Sequence, residues 1–559
     1  MTMRLADRRR ILAFGMREIW RRVCRRSAGL RLALTPLPVP DRLIVAPTDL
    51  RSIDPFIAEE ILEGRYPLAG RVLETYGQSP FQVELPSKAF AERLHSFTWL
   101  RHVRANKTEE ACDHARDVVA DWITLHGRRQ RGIGWEPSVV AERVVAWLSH
   151  STVVLNGAEA GFYRRFMKSL AFQVRYLRKI AGCIPADETR LRIRIALAMA
   201  SVSMPTRAAF IRREGARLDR ELEFQILADG GHLSRNPRSM LDALLDLLPL
   251  RQTYINLGHD LPQKLIPTID RIYPALRFFR HQDGDLALFN GATATPASEL
   301  MSVLRYDESG GRPFKALPHM NYHRLTAEDT TLIVDTGWSE PEFSRTAHAG
   351  CLAFELSSGR NRFIVDSGSP KFSGRGHRKM ARSTAAHSTL TLSETSSSRI
   401  AKSKLAGPIL LPGVSDVTID RRDDAHGNDW LRATHDGYLK EFGYLYHREI
   451  GLNTTGNKIK GHDRLFVPDS EEPGDERLVA VVRFHIHPAI RLVRRDPESV
   501  VMQANDGEKW LFSAPGLEVM IDEDIFFADV SGPRPSQQLA IEFTLPEVTE
   551  IRWMLRRAD

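Results

Sequence analysis

From about residue 50 to residue 285 the apolar positions of the chain recur at helical spacing. In "SVVAERVVAWLSHSTVVL" the residues Val140, Val144, Val145 and Leu148 fall on one stripe. The stretches "FYRRFMKSLAFQVRYLRKI", "RLRIRIALAMASVSM" and "PRSMLDALLDLLPLRQTYINL" repeat the pattern. Short polar breaks join them, which predicts helical hairpins packed as a bundle, a toroid or a solenoid. No fixed sequence period recurs, so simple repeat families are not expected. After "DGDLALFNGATATP" the pattern changes. "TTLIVDTGW", "CLAFELSSG", "RFIVDSG", "STLTLSE", "VAVVRFHIHPAIRLV" and "GLEVMIDED" are short, rich in β-branched residues and closed by Gly, Asn, Asp or Ser. Successive strands without intervening helices predict an antiparallel sandwich. The switch falls between residues 290 and 315.

At 559 residues the chain exceeds one ordinary core, so two or three domains are expected. A net charge of +8 and a pI near 9.3 favour an acidic partner: nucleic acid, an anionic lipid surface or an acidic polysaccharide. Cys24, Cys112, Cys183 and Cys351 are scattered and read as free, mostly buried thiols. No apolar run approaches the ~20 residues that span a bilayer. The first 31 residues hold ten arginines against Asp7 and Glu18, and "ILAFGM" is too short for a signal-peptide core. That segment reads as a solvated helix or as a basic amphipathic helix on a membrane surface. The expected location is the cytoplasm, with the cell envelope or periplasm as the alternative.

Three stretches carry candidate chemistry. "ARSTAAHSTLTL" puts His387 at the mouth of a strand, with Arg382 five residues before it. "RTAHAGCLAFEL" holds His348, and "RFIVDSGSP" holds Asp366. Together with the helices-then-sandwich order, the words "GWEPSVVAERVVAWL", "LADGGHLSRNPR", "AHAGCLAFELSSGRNRFIVDSG" and "RSTAAHST" resemble the heparinase II/III family of polysaccharide lyases. "DLRSIDPFIAEEILEGRYPLAG" is similar to bacterial members without a signal peptide. The resemblance implies a basic N-terminal segment over 1–48, an (α/α) toroid over 49–290 and an antiparallel β-sandwich over 291–559. It implies β-elimination on a uronate-containing, glycosaminoglycan-like polysaccharide. A cleft group neutralises the carboxylate, a base takes the adjacent ring proton, and an acid protonates the leaving oxygen. It also implies a divalent metal, most simply zinc, held by His348, Asp366 and His387. Two imidazoles and a carboxylate suit that ion. By strand counting alone, a hairpin turning at "SSGRN" leaves Asp366 and His348 roughly 10 Å apart at ~3.4 Å per residue. A bulge or a curved strand must close that gap.

The chain departs from the pattern where active members place their base. Thr346 stands two residues before His348, where a histidine is usual. "IPADETRLRI" lacks the asparagine or histidine that would neutralise the carboxylate, and "LSRNPRSMLD" lacks the proton-shuttling tyrosine. Substitutes are His232 and Arg235 in "DGGHLSRNPR", where Gly230 and Gly231 permit an unusual backbone. Arg235 or Arg238 could grip a carboxylate. Tyr322 could move a proton, and Arg382 could neutralise substrate charge or cap the metal loop. Trp147 reads as core, whereas Trp135 in "GIGWEP" is the candidate groove lining. "FHIHP" reads as a half-buried strand.

The leading expectation is therefore a lyase acting on an acidic polysaccharide or oligosaccharide. The alternative is a non-catalytic relative that binds acidic glycans or serves envelope polysaccharide assembly. Nucleic acid is not an expected partner, since no zinc finger, RNP word or recognition-helix pattern occurs. Peripheral contact with an anionic membrane through the N-terminal segment is expected.

Overall fold

The structure, a computed structural model, describes residues 5–33, 38–105, 107–127, 130–338, 343, 345–372, 374–403, 407–411, 413–468 and 477–558. The order is helices first and strands after. A 29-residue helix α1 (Leu5–Ala33) is followed by the helices of the first half, chief among them Glu109–His126, Pro137–Ser149, Ala160–Ile180, Glu188–Ser203, Ala208–Gln225, Pro237–Asn256 and Leu265–Phe279. Their starts follow from local chemistry. Thr108 accepts from the Ala111 amide, Asp187 from the Thr189 and Arg190 amides, and Asn236 from the Arg238 amide with Pro237 in the first turn. Each cap satisfies backbone donors that the helix itself cannot.

Buried Arg143 ties the toroid together. It donates to Gln173, His95 O and Gly134 O at 2.7–2.8 Å and lies 3.9 Å over the Trp122 ring. Trp147 is core, as its spacing predicts. Trp135 corrects the expectation of a groove lining. It is 3% exposed, its ring packs on Trp122, Phe172 and Tyr176, and its indole donates to His126 O at 2.9 Å. A tryptophan in a loop reads as available, but here neighbours distant in sequence enclose it.

The second half is built on two large antiparallel sheets, of eight and nine strands among the described residues, with a small two-stranded ribbon beside them. Inward side chains, including Phe354, Phe484, Trp510 and Trp553, fill the layer between them. Phe354 stacks on Trp553 with ring centroids 5.6 Å apart. The helical core runs on into Leu317, Met320, Tyr322, Ile333 and Ala353, the first residues of the sandwich. The two halves therefore share apolar packing, and the join is where the candidate chemistry gathers.

Candidate metal centre and the cleft beside it

His348, Asp366 and His387 come together. Each offers a ligand atom, and these atoms lie within 4.8 Å of one another. All three residues are buried. A strand irregularity and a loop accompany the closing of the expected gap. The strands Phe354–Ser358 and Asn361–Ile364 pair with a register shift between Leu356 and Ser357. The chain before Phe354 then folds back in a tight loop, with Leu352 at φ 64° and the Ala353 amide donating to Gly350 O at 3.0 Å. That loop carries His348 over to Asp366.

Arginines clamp the triad's backbone. The Arg382 Nε donates to Ala347 O at 2.9 Å, and its own carbonyl accepts from the Ala349 amide at 3.0 Å, so His348 is held on both sides. One Arg448 nitrogen donates to Leu352 O at 2.8 Å and to Ser388 O at 2.6 Å, joining the loop of His348 to the segment of His387. Asp463 compensates the Arg448 charge at 2.7 Å. The Asp366 amide donates to Glu355 at 3.1 Å, and Asp366 accepts from the Gly368 amide at 3.0 Å. His387 Nδ1 lies 2.6 Å from Asp366 Oδ2. His348 Nδ1 and His387 Nε2 are buried with no protein partner. Burial, then the nearby His387 and Arg382, hold the His348 imidazole well below its ordinary pKa, which keeps it neutral as a ligand must be. Unsatisfied buried nitrogens beside a carboxylate fit a divalent cation with N/O preference.

The residues expected to act on substrate lie elsewhere. His232 is fully buried, with Nδ1 2.8 Å from Ser234 Oγ and Nε2 3.1 Å from Gln225 Oε1, so both ring nitrogens are used. Arg235 and Tyr322 do meet, with the guanidinium carbon 4.7 Å over the tyrosine ring. Both are sealed. Arg235 pairs with Asp335 and donates to Met320 O at 2.9 Å. The Tyr322 hydroxyl donates to Arg235 O at 3.0 Å and accepts from Asn290 at 2.8 Å. Burial drives the Tyr322 hydroxyl well above its ordinary pKa and raises that of Asp335. Arg238 pairs with Asp242 and Glu299. His232, Arg235 and Tyr322 thus hold the join between the domains, and Arg382 positions the His348 loop.

Asn290 escaped the sequence reading. It bonds Tyr322 and Asp335 through its amide nitrogen and accepts from the His348 amide at 3.3 Å, linking this network to the triad. The signal was available: Asn290 precedes Gly291, and both adopt positive φ.

At Thr346, two residues before His348, a cavity of about 140 Å³ opens between the domains. Arg17 and Arg21 from α1, Asp187 and Glu188 from the toroid, and Arg345 and Thr346 from the sandwich line it. Helix α1 lies across this opening, fastened by Asp7 to Arg399 at 2.8 Å and by Glu18 to Arg345 at 2.9 Å.

Comparison with known proteins agrees with this architecture. Residues 309–554 match the family model described as "Heparinase II/III-like, C-terminal". A curated relative, FtsZ-localized protein C of Caulobacter vibrioides (strain NA1000 / CB15N), is 30% identical over 538 residues, spanning 94% of this chain and 92% of that protein. The chain belongs to the heparinase II/III family. Its fold is that of heparinase III, whose crystal structure aligns with a TM-score of 0.72 at 14% identity, over 95% of this chain and 89% of that one. A heparan sulfate lyase HepC mutant from Pedobacter heparinus aligns with a TM-score of 0.61 at 17% identity, over 97% and 89% of the two chains. The heparinase II/III architecture of helical toroid plus antiparallel sandwich is therefore that of this chain.

Proposed function

We propose that this protein is a heparinase II/III member that works by binding rather than by bond cleavage, in association with FtsZ. One observation carries the reading. The fold and the His348–Asp366–His387 set are kept, while Thr346 stands at the base position and the Tyr322 hydroxyl is spent on Arg235 O and Asn290 inside the core. A general base must come within hydrogen-bond reach of the proton it removes. Threonine is no base near neutral pH, and Tyr322 has no exposed atom with which to reach a sugar. The full-length relative named for its localisation with FtsZ supports the partner. In this reading a divalent metal at the triad organises the loops around the cleft, and as a Lewis acid it would polarise an oxygen placed against it. Co-sedimentation of the purified protein with FtsZ polymers tests the partner. Pelleting with polymer formed in GTP and not with unpolymerised FtsZ supports it, and no pelleting in either state refutes it.

A second reading, β-elimination on a uronate-containing polysaccharide, is favoured by the intact triad and by Arg17, Arg21 and Arg345 around the adjoining cavity. Elimination leaves a carbon–carbon double bond conjugated to the carboxylate, which absorbs in the ultraviolet. A screen of uronate polymers that produces this absorbance with wild-type protein would replace the binding reading with the catalytic one.

A further inference from the structure

Helix α1 turns an unusual amount of apolar surface outward. The side against the body is mixed, with half-buried Ile11 and Phe14 and buried Leu32 beside the two acidic side chains. Asp7 and Glu18 are each 6% exposed and make the ion pairs to Arg399 and Arg345, and Gly15 between them is buried. The outward side is apolar: Leu12 is 64% exposed, Met16 57%, Ile19 47%, Trp20 69% and Val23 52%. Positions 12, 16, 19, 20 and 23 follow helical spacing, so the five side chains form one stripe, roughly 100° wide at 3.6 residues per turn. Asp7 and Glu18 fall on the opposite face. A soluble protein rarely leaves a continuous apolar stripe in water unless something covers it.

The charges around the stripe choose the occupant. Exposed Arg8 and Arg26 follow one border, and exposed Arg9 and Arg17 follow the Trp20 side. A second copy of the helix would set two such collars against each other. An anionic bilayer answers both features: acyl chains take the apolar side chains, lipid phosphates take the guanidinium groups, and an indole sits well at headgroup depth. We infer that α1, as it lies on the body, is a docking surface for an anionic lipid bilayer, with Leu12, Met16, Ile19, Trp20 and Val23 entering the interface and the arginines meeting phosphate. The body is then held with its interdomain opening behind the helix. The inference does not draw on the FtsZ reading and is tested without FtsZ.

The test is co-sedimentation of the full chain with vesicles of phosphatidylcholine alone and of phosphatidylcholine mixed with phosphatidylglycerol. Pelleting with the mixed vesicles only, fading as salt is raised, is expected. Trp20→Glu should weaken binding roughly tenfold or more, because a large apolar side chain is removed from the interface. Its thermal unfolding should match wild type, since the side chain faces water in the free protein. Arg8→Glu with Arg26→Glu should weaken binding to the mixed vesicles by a similar factor. Equal pelleting with neutral and anionic vesicles would overturn the proposal, as would undiminished binding by Trp20→Glu. A lipid-free dimer that Trp20→Glu dissolves, in a protein that ignores vesicles, would overturn it in favour of a second copy.

Discussion

His387 Nδ1 and Asp366 Oδ2 are 2.6 Å apart in a site closed to water, and the other nitrogen of that ring has no protein partner. The carboxylate fixes the ring and leaves the other nitrogen available as a ligand atom. The expected occupant is one divalent metal, most simply zinc, shared with His348. Elemental analysis of protein purified without chelator should find about one equivalent per chain. His387→Ala should remove it, and equal metal in both proteins would discard the site.

Arg448 should matter to that metal without touching it. Its guanidinium joins Leu352 O to Ser388 O, so it sets the spacing between the loop of His348 and the segment of His387. Arg448→Met is expected to weaken metal affinity by about 10–100-fold, the usual range for groups that orient ligands. Competition with a chromophoric chelator measures this. An unchanged affinity would make Arg448 a matter of stability alone.

The buried pair of Arg235 and Asp335 makes a different claim. Asp335→Ala leaves the Arg235 charge uncompensated in the core and should cost about 3–5 kcal/mol. Tyr322→Phe removes one hydroxyl from the same network and should cost about 1–3 kcal/mol. Denaturant unfolding reads both. If Tyr322 is a framework residue, Tyr322→Phe should pellet with FtsZ polymers as wild type does once folded.

Much of this was legible in the sequence, for reasons that differ by residue. The two halves announce themselves because Val140, Val144 and Leu148 repeat at helical spacing, whereas "STLTL" alternates. The triad was legible only through the wording around it. Strand counting kept His348 away from Asp366, since no pattern marks Leu352 as the left-handed residue that folds the loop. The sealing of Tyr322 depends on Arg235 and Asn290, 87 and 32 residues away, and nothing local encodes it. The same holds for Trp135, whose enclosing rings come from two helices, one on either side of its own loop in sequence.

Acid should weaken the fold through histidines kept neutral by burial. His95 accepts the Trp122 indole N–H at 2.9 Å, and burial, helped by His126 and Arg143, pushes its pKa from 6.5 to about 3. Burial brings His102, His435 and His487 each to about 4. The native state therefore binds fewer protons than the unfolded chain below about pH 6.5. The stability is full above that value and is lost as pH falls toward the folded pKa values. The unfolding temperature should drop steeply between pH 6.5 and 4. His95→Gln keeps an acceptor for Trp122 but cannot titrate, so its profile should be flatter. An identical slope would remove His95 from the account.

Cys24 and Cys183, read from sequence as scattered thiols, meet where α1 lies on the toroid. The Cys24 thiol lies beside that of Cys183, and both residues are half-buried, whereas Cys112 and Cys351 are buried. Burial, with Cys24 beside it, raises the Cys183 thiol, which disfavours Cys183 as the first attacking sulfur. Exchange with one oxidised glutathione would join the two sulfurs and release two reduced glutathiones. The product would be a single intramolecular disulfide stapling α1 to the body. In the chain-entropy picture so long a loop contributes roughly 5 kcal/mol, less any strain in the folded state. Oxidised protein should lose the mass of two hydrogens and run faster on a non-reducing gel. Its N-terminal helix should also resist a protease that clips the reduced form. Cys24→Ser should abolish all three changes. A stable glutathione adduct on Cys24, with Cys183 still free, would mean that the two sulfurs cannot reach bonding geometry, and that α1 is held by its ion pairs and packing without a covalent staple.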